Sequence, residues 1–341
     1  MPHRPRAVLA MRHAVRDALL DHTALRRLCR VARLDPELLI SEPADFSGSG
    51  RAAELAEAEA LFTSWGCPPL TSDALNRMPR LRTVVHAAGS VKGHITDACW
   101  ERGLSVSCAA DANALPVAEY TIAAILFSGK RVLDSALAYR ARRTALDPLT
   151  LFPRHALGNY RRTVGVVGAS RVGRRVIELL RPFDLRVLVY DPYLAADAAH
   201  ELGAEQVELD DLARRSDIVT LHAPALAQTR HLFDRARLAL LPDGATLINT
   251  ARGWLVDTEA LTEELVRGRL HAVLDHTEPE ALPDSSPLYE LPNVLLTPHI
   301  AGSLGNELAR LAHAAIDELA RYAAGLPYAQ PVTRQILRHS A

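Results

Sequence analysis

Short runs of apolar residues alternate with segments whose apolar positions recur at helical spacing, and this pattern continues along most of the chain. Short apolar runs are typical of buried strands in a parallel sheet, and the amphipathic segments are typical of helices that cover its faces. In the first third of the chain, the pattern predicts a strand over 7–11, a helix over 13–30, short strands over 38–40 and 60–62, a capped helix start at Thr71, and a strand over 81–86.

A second series of strands and helices begins at Thr163. It is preceded by a helix-favouring stretch over 116–143, with Pro116 in the first turn, where a missing N–H is tolerated. It is followed by an amphipathic helix over 304–324. Together these segments predict an α/β protein built on parallel sheets. The strands of the second series are predicted over 163–167, 186–190, 217–221, 245–249, 271–275 and 293–296.

Composition and charge exclude several classes of function. At 341 residues, of which 48% are hydrophobic, the chain is long enough for two domains of ordinary size. Its formal net charge of −1 gives no electrostatic basis for binding nucleic acid or an anionic membrane. No run approaches the roughly 18 apolar residues of a membrane span, and the apolar stretch near the N-terminus is too short for a signal peptide.

Cysteine usage indicates a reducing compartment. The four cysteines show neither a CxxC motif nor a zinc-binding spacing, so we expect reduced thiols in a cytoplasmic protein. The sequence also contains no HExxH motif, paired metal carboxylates or Cys/His cluster. We therefore expect no bound metal.

A glycine pattern at the start of the second series indicates a dinucleotide site. Gly168 and Gly173 occupy the first and third positions of the fingerprint G-x-G-x-x-G, and Ser170 occupies the second. The segment Ser170-Arg171-Val172-Gly173 opens a helix, whose N-terminal N–H groups would bind the pyrophosphate. A serine at the second position would push the phosphate outward or offer it a hydroxyl.

The residue that ends the next predicted strand strengthens this interpretation. Asp191 follows Gly168 by 23 residues, the position from which a carboxylate accepts hydrogen bonds from the ribose hydroxyls. Because the same carboxylate would repel a 2′-phosphate, the pattern favours NAD over NADP. The alternative is that the glycine turn and Asp191 serve the fold alone.

Further motifs resemble those of the D-isomer-specific 2-hydroxyacid dehydrogenase family, which includes phosphoglycerate dehydrogenase and hydroxypyruvate and glyoxylate reductases. The resemblance covers nearly the whole chain from about residue 55. The motifs occur in the family's order as Asn113-Ala114-Leu115-Pro116-Val117-Ala118-Glu119-Tyr120-Thr121, Leu221-His222-Ala223-Pro224, Asn249-Thr250-Ala251-Arg252-Gly253, Leu274-Asp275 followed by Glu280, and Thr297-Pro298-His299.

The resemblance implies two doubly wound parallel-sheet domains: a flavodoxin-like substrate lobe and an NAD-binding Rossmann lobe inserted into it. It places the substrate lobe at 1–113 and 306–341 and the NAD-binding lobe at 114–305, with the substrate between them. It also implies a homodimer, for which residues 117–143 suit a dimerisation arm. The first 54 residues resemble the family poorly and could form either a strand–helix pair of the substrate lobe or an added cap.

The chemistry of 2-oxo acid reduction explains three residues of these motifs. Arg252 offers a planar, bidentate group to the substrate carboxylate. His299 is of the right type to give a proton to the carbonyl oxygen, or to remove it in the reverse direction. A carboxylate beside the imidazole would raise the pKa of His299 and fix its tautomer. We assign that role to Glu280, because the family places its glutamate five residues after Asp275; Glu278 is the competing candidate.

The remaining contacts follow from the resemblance. The substrate is expected to contact Ala88, Gly89, Ser90, Val91, Asn113, Arg252 and His299. The cofactor is expected to contact Gly168, Ser170, Arg171, Val172, Gly173, Asp191, His222, Ala223, Pro224, Thr229, Thr250, Ala251, Asp275, Thr121 and Gly302. His222 is expected to be structural rather than an acid.

Several residues outside the motifs have two interpretations. Lys92 is a substrate contact or a solvated loop lysine, and Trp65 lines the pocket or belongs to ordinary packing. The family's common Asp-Val-Phe is replaced here by Asp275-His276-Thr277, and we expect His276 to be a surface residue or to lie behind the site.

The leading hypothesis is an NAD-dependent oxidoreductase that transfers hydride between the nicotinamide and C2 of a small D-2-hydroxy acid or 2-oxo acid. One alternative is a dehydrogenase of a small inorganic or one-carbon anion. Formate dehydrogenases of this fold have a glutamine where this chain has Glu280, which argues against formate. Another alternative is a regulator that senses the cofactor without catalysis.

Overall fold

The computed structural model describes residues 3–48, 51–145, 147 and 157–339. Its strands are β1 (Ala7–Ala10), β2 (Leu39–Ile40), β3 (Ala60–Thr63), β4 (Thr83–His86), β5 (Ser105–Cys108), β6 (Thr163–Val167), β7 (Arg186–Tyr190), β8 (Glu205–Gln206), β9 (Ile218–Leu221), β10 (Thr246–Asn249), β11 (His271–Leu274), β12 (Val294–Leu296) and β13 (Pro331–Val332).

The α-helices described are α1 (His13–Leu19), α2 (His22–Val31), α3 (Ala52–Ala56), α4 (Ser72–Asn76), α5 (Asp97–Glu101), α6 (Ala110–Gly129), α7 (Val132–Arg142), α8 (Arg171–Leu180), α9 (Ala196–Leu202), α10 (Leu209–Arg215), α11 (Arg235–Leu240), α12 (Thr258–Val266), α13 (Leu308–Ala323) and α14 (Arg334–His339). None of these helices is long and apolar enough to cross a membrane.

The chain forms two compact units. The first comprises the described residues up to Ala114 together with those from Ser303 onward, and the second spans Leu115–Gly302. The boundary between Ala114 and Leu115 lies within α6. The other boundary follows Gly302, three residues before the one predicted from the sequence.

A six-stranded sheet forms the first unit, in the order β13-β5-β4-β3-β1-β2. Its strands are parallel except for β13, which runs antiparallel to β5. The order β2-β1-β3-β4-β5 is that of flavodoxin-like sheets, as expected. Since β1 pairs with both β2 and β3, the N-terminal segment is part of the sheet and the interpretation of an added cap is wrong. Helix α13 packs against α2 and α1, so the C-terminal segment completes this unit.

The second unit contains a seven-stranded, wholly parallel sheet in the order β12-β11-β10-β9-β6-β7-β8. Counted from β6, this is the order of a dinucleotide-binding Rossmann sheet with one extra edge strand. The order reverses between β6 and β9, which puts the loops after these two strands at the switch point where such sheets bind ligands. All six strands predicted for this unit are present, most of them one residue shorter than predicted.

One predicted helix is broken in two, and another begins later than predicted. The helix predicted over 13–30 ends at Leu19 and restarts at His22, because the Asp21 carboxylate accepts a hydrogen bond from the Ala24 N–H at 2.7 Å and caps a new helix. The helix predicted over 304–324 begins at Leu308, after a single 3₁₀ turn.

The helix predicted over 116–143 begins earlier and also breaks. Helix α6 starts at Ala110, so Pro116 lies inside it and the prediction that this proline occupies the first turn is wrong. The break before α7 comes at Arg131, whose φ of 49° is left-handed and incompatible with a continuous helix.

Candidate active site

The glycine loop follows β6 in the second unit and permits two close backbone approaches. Gly168 has a φ of 96°, and a Cβ on it would lie 2.7 Å from the Ala223 nitrogen in the loop after β9. A Cβ on Gly173 would lie 1.9 Å from the Gly168 carbonyl oxygen. Neither position can hold a side chain, so the first and third glycines of the fingerprint have the roles that a dinucleotide loop requires.

Ser170, which replaces the second glycine, is the N-cap of α8. Its hydroxyl accepts a hydrogen bond from the Gly173 N–H at 3.4 Å, and its backbone is extended. Arg171 and Val172 form the first turn, whose N–H groups are those that bind an anion at a helix N-terminus. The serine therefore has a local structural role that a glycine at this position would lack.

Asp191 stands at the end of β7, beside the glycine loop. One carboxylate oxygen accepts the Ala169 N–H at 2.7 Å, and the other accepts the Tyr193 N–H at 2.8 Å. Because each carboxylate oxygen has more than one acceptor site, both can still accept ribose hydroxyls. A glycine loop without room for side chains, a capped helix N-terminus and this carboxylate together fit the pyrophosphate and ribose of a dinucleotide.

The loop after β9 is rigidly built. His222 is buried and its Nε2 lies 2.9 Å from the Thr220 hydroxyl; burial lowers the pKa of His222 to about 3. It is therefore neutral and structural. The Thr229 hydroxyl donates to the Pro224 carbonyl at 2.6 Å and accepts the Leu226 N–H at 2.9 Å, which closes the turn that carries Ala223 and Pro224.

The arginine motif leaves the end of β10 in a clamped loop. The Asn249 side chain accepts the Ala251 N–H at 3.1 Å and donates to the Arg252 carbonyl at 2.8 Å. Thr250 is buried, with its hydroxyl 3.1 Å from that of Thr121 on α6. The guanidinium of Arg252 donates to the Ala251 carbonyl at 2.6 Å. Burial lowers the pKa of Arg252 and the Glu280 charge raises it; a guanidinium stays protonated in either case.

Asp275, at the end of β11, holds the loop that carries the catalytic histidine candidate. Its buried carboxylate accepts the Thr297 hydroxyl at 2.7 Å and the N–H groups of Ile300 and Ala301 at 2.8 and 2.9 Å. Its carbonyl accepts the His299 N–H at 3.2 Å. The loop from Thr297 to Gly302 is thus fixed to the end of the neighbouring strand.

The structure brings His299 and Glu280 into direct contact. The imidazole Nδ1 lies 2.6 Å from a Glu280 carboxylate oxygen, and the side chains are 49% and 69% exposed. This hydrogen bond from His299 is the main reason that the pKa of Glu280 is lowered. Glu278 instead faces Arg230, with 3.8 Å between their charged atoms. Of the two candidate glutamates, Glu280 is the one paired with the histidine.

His276 lies behind this pair and is buried, so the interpretation of a surface residue is wrong. Its ring centroid is 3.8 Å from that of His299. Burial, and after it the neighbouring His299, lower the pKa of His276 to about 4. Donor atoms of His276, Glu280 and His299 all lie within 4.8 Å of one another, an arrangement that the sequence did not predict.

The expected carboxylate loop belongs to the first unit and follows β4. Ala88 and Val91 are buried and fix its ends, while Gly89 and Ser90 are half-buried. The side chain of Asn113 packs on Gly89, where a Cβ would lie 3.0 Å from its amide nitrogen, and accepts the Ser303 N–H at 3.2 Å. Lys92, in the same loop, and Trp65, after β3, are exposed.

The sequence alone does not identify the residues that position the site through hydrogen bonds but have no catalytic or cofactor-binding motif role. Asn249 is visible in the sequence only as the first residue of a motif, although an asparagine at a strand end often organises a turn. Thr297 carries the hydroxyl that anchors Asp275, and Tyr120 contacts that hydroxyl at 2.8 Å. The signal for His276 was present, since a histidine replaces a common valine there.

A Rossmann sheet with a glycine loop, an acidic residue at β7 and a histidine–glutamate pair defines a dinucleotide-dependent dehydrogenase. A profile of the D-isomer specific 2-hydroxyacid dehydrogenase NAD-binding domain matches residues 134–301. The chain is 32% identical to a glyoxylate reductase of Aeropyrum pernix, over 83% of this chain and 85% of the relative. It is 30% identical to a D-3-phosphoglycerate dehydrogenase of Methanocaldococcus jannaschii, over 73% of this chain and 47% of the relative.

A comparison with solved structures gives the same fold. The fold superposes on the D-mandelate dehydrogenase of Rhodotorula graminis with a TM-score of 0.79 and 25% identity, over 97% of this chain and 98% of that one. The chain spans about half the length of the phosphoglycerate dehydrogenase it matches and most of the glyoxylate reductase. This protein belongs to the D-isomer-specific 2-hydroxyacid dehydrogenase family, an NAD-dependent class of oxidoreductases, and the predictions of family, fold, enzyme class and cofactor are confirmed.

Proposed function

We propose that the protein reduces a small 2-oxo acid to the D-2-hydroxy acid with NADH and catalyses the reverse oxidation with NAD. The observation that carries this proposal is the 2.6 Å contact between His299 Nδ1 and Glu280. A carboxylate bound to one ring nitrogen holds the imidazole in a defined orientation and tautomer and stabilises its protonated form. The other nitrogen, Nε2, is then the one that exchanges a proton with substrate.

Each group in the site has one task in this reaction. The nicotinamide cofactor, when bound, would supply the hydride as NADH or accept it as NAD. In the reductive direction, His299 Nε2 donates a proton to the carbonyl oxygen as C2 gains hydride, so that the ketone becomes a hydroxyl. In the oxidative direction, the same nitrogen removes the hydroxyl proton. Glu280 stays ionised throughout, as its lowered pKa favours.

Arg252 binds the carboxylate of the substrate in this proposal. Its backbone is clamped by Asn249 and its side chain by the Ala251 carbonyl, which leaves other N–H donors of the guanidinium for an anion. The loop 88–91 and Asn113 of the first unit are proposed to supply further donors to the substrate. Positioning of this kind removes much of the entropic cost of bringing the reacting groups together.

The proposal is tested by oxidation of NADH with glyoxylate, hydroxypyruvate, pyruvate, 2-oxoglutarate and phenylpyruvate in parallel. We expect turnover of at least one of them. The variants His299→Ala and Glu280→Gln should lower kcat by roughly 10²–10⁴-fold, the usual size of acid–base contributions, while NADH affinity stays unchanged. Parallel binding measurements by nucleotide fluorescence check this second point.

The same assay separates the alternatives. Tight NADH binding with no turnover of any 2-oxo acid would reject the reductase and favour a cofactor-sensing regulator. If the protein oxidises phosphite or formate with NAD and turns over none of the 2-oxo acids, it is instead a dehydrogenase of a small anion. Turnover that survives His299→Ala would reject the assignment of the proton carrier.

We also propose that the protein is a homodimer that associates through α6 and α7. No residue of α7 is buried, and Leu137 and Tyr139 on it are 43% and 61% exposed, as is Phe127 on α6 at 55%. An isolated helix of eleven residues is marginal in water, so an apolar partner surface would account for it.

Light scattering after size exclusion tests the dimer. The parent chain should elute at about twice the 37.2 kDa of the monomer, and Leu137→Glu should shift it towards the monomer. Val266→Glu, the same kind of change at an exposed apolar position of α12, is the matched control and should leave the mass unchanged. A monomeric parent protein would reject the proposal.

A further inference from the structure

Three side chains of metal-ligating type meet at the end of the second unit's sheet. His276 follows β11, Glu280 lies further along the same loop, and His299 follows β12. One donor atom from each lies within 4.8 Å of the other two. Two imidazoles and one carboxylate are a donor set that borderline divalent ions bind well.

We propose that His276, Glu280 and His299 form a binding site for a divalent transition-metal ion of the Zn²⁺ type, and that this ion inhibits the enzyme. The inhibitory part rests on the proposed function, whereas the binding part does not. Borderline ions such as Zn²⁺, Ni²⁺ and Cu²⁺ are the expected ligands. Mg²⁺ and Ca²⁺ prefer all-oxygen sites and are expected to bind far more weakly.

The geometry requires only small movements. A tetrahedral zinc ion holds nitrogen and oxygen donors at about 2.0–2.2 Å, which puts the donors roughly 3.3 Å apart. The His299–Glu280 contact of 2.6 Å must open slightly and His276 must approach. Since the side chains of His299 and Glu280 are half-exposed or more, they can rotate without unpacking the core. The same exposure gives the ion a path from solvent.

The chemistry of inhibition follows from the atom that the metal would occupy. A metal on His299 Nδ1 takes the place of the proton shared with Glu280. Nε2 then keeps its own proton, because losing it would leave a metal-bound imidazolate. The ring can no longer alternate between proton donor and acceptor, so both directions of the proposed reaction stop. The charge of Arg252 acts on His276 and Glu280 and repels a cation, so we expect micromolar rather than tighter affinity.

His276 is what distinguishes this chain from relatives with a valine at the position. A histidine–glutamate pair alone offers two donors, and His276, whose buried ring lies tilted against that of His299, supplies the third. The variant His276→Val removes one ligand and restores the residue that is common in the family. Glu280→Gln removes another ligand from an exposed position, where it cannot disturb folding. His200→Gln, on the exposed surface of α9, is the matched control.

The experiment is calorimetric titration of the full chain with Zn²⁺, together with the visible absorption of added Co²⁺. We expect one equivalent to bind in the parent and in His200→Gln, with tetrahedral Co²⁺ bands. Affinity should fall by about tenfold or more in His276→Val and Glu280→Gln, since even the loss of an outer-shell partner weakens metal sites about 10–100-fold. Equal affinity in all four proteins would overturn the site.

Enzyme assays give the second readout. In the parent, Zn²⁺ should inhibit NADH oxidation over the same concentration range in which it binds. Equal inhibition of His276→Val should require about tenfold more Zn²⁺. The rate of each protein is compared with its own rate without metal. Zn²⁺ that binds to the parent without inhibiting it would overturn the regulatory part. If no 2-oxo acid is turned over, the proposed function fails separately, and calorimetry still decides the metal site.

Discussion

Two carboxylates of one loop have opposite surroundings. Asp275 is buried, and its carboxylate accepts three hydrogen bonds from the loop after β12, which it holds in place. Glu280 is largely exposed and accepts one hydrogen bond, from His299. In the proposed mechanism, these two residues of the same charge, five positions apart, have different roles: Asp275 fixes the backbone and Glu280 tunes the proton carrier.

Asp191 gives a prediction at the level of a single residue. Asp191→Asn keeps an acceptor for the Ala169 N–H and removes the charge. Because hydrogen bonds to charged groups contribute roughly 1.5–3 kcal/mol, we expect KM for NADH to rise at least about tenfold. KM for NADPH should rise less, since repulsion of the 2′-phosphate is relieved.

Steady-state kinetics with both cofactors measure this change. Asp197→Asn, in the exposed first turn of α9, is the control and should leave both values unaltered. An unchanged ratio of NADH to NADPH use in Asp191→Asn would show that Asp191 serves only the glycine loop.

At the scale of elements, the loops after β10 and β11 can approach each other closely only because residue 253 is a glycine. A Cβ on Gly253 would lie 2.1 Å from the carbonyl carbon of Thr277 and 2.4 Å from the Glu278 nitrogen. These are backbone atoms, so neither loop can yield by turning a side chain. Arg252 and Glu280 are thus positioned by the same close approach.

Gly253→Ala is therefore expected to push the two loops apart. Overpacking of this kind costs roughly 1–3 kcal/mol of stability. We expect kcat/KM for the 2-oxo acid to fall by more than tenfold, because displacing a positioning residue by about an ångström can cost a hundredfold. Gly48→Ala, where the nearest atom would be 3.8 Å away, is the control for both kinetics and thermal unfolding. Wild-type kinetics in Gly253→Ala would contradict this account.

The sequence predicts strands better than helix ends. The central strands are short apolar runs because both faces of a parallel sheet are covered, and such runs have visible limits. The helix over 13–30 breaks where apolar positions continue at helical spacing. The helix over 116–143 breaks at Ser128-Gly129-Lys130-Arg131, four residues without a large apolar side chain. Asp21 is a capping signal that can be recognised in the sequence, and Gly129, at which α6 ends, is a second signal for a helix end.

The candidate site has the same limit: the sequence predicts its residue types but not the contacts between loops that are distant along the chain. The chemical residue types and their order along the chain are read directly from the sequence. The burial of His276 against His299 is set by two loops that meet in space from 23 positions apart. Neighbouring residues alone cannot specify such a contact.

At the scale of the whole molecule, buried neutral histidines make stability depend on pH. His86 and His94 are buried in the first unit, His222 and His276 in the second. Burial lowers the pKa of His94 and His276 to about 4, of His222 to about 3, and of His86 well below its ordinary value. In the unfolded chain these groups titrate near 6.5.

The contribution of these histidines to stability should therefore be constant above neutral pH and fall as the pH drops from about 6.5 towards 4, because in that window their rings bind protons only in the unfolded chain. His271 is partly buried, and burial likewise lowers its pKa to about 4. At pH 5.5 each histidine with a pKa of about 4 or below costs about 1.4 kcal/mol. Urea unfolding at pH 7.5 and 5.5 measures the difference. His222→Gln should reduce the difference by about a fifth, since it removes one of five such histidines, and His200→Gln, at the surface, should not change it. Equal stability at both pH values would contradict the burial of these rings as neutral groups.

His299 adopts a backbone φ of 55°, a conformation that L-residues other than glycine and asparagine adopt at a cost of roughly 1–2 kcal/mol. The hydrogen bonds from its loop to Asp275 hold the residue there. Glycine at this position would relieve the strain and, if the proposed function holds, remove the proton carrier in the same substitution. Selection for folding and selection for turnover thus oppose each other at a single codon, and any lineage that had lost the activity would be free to drift towards a more stable, silent protein.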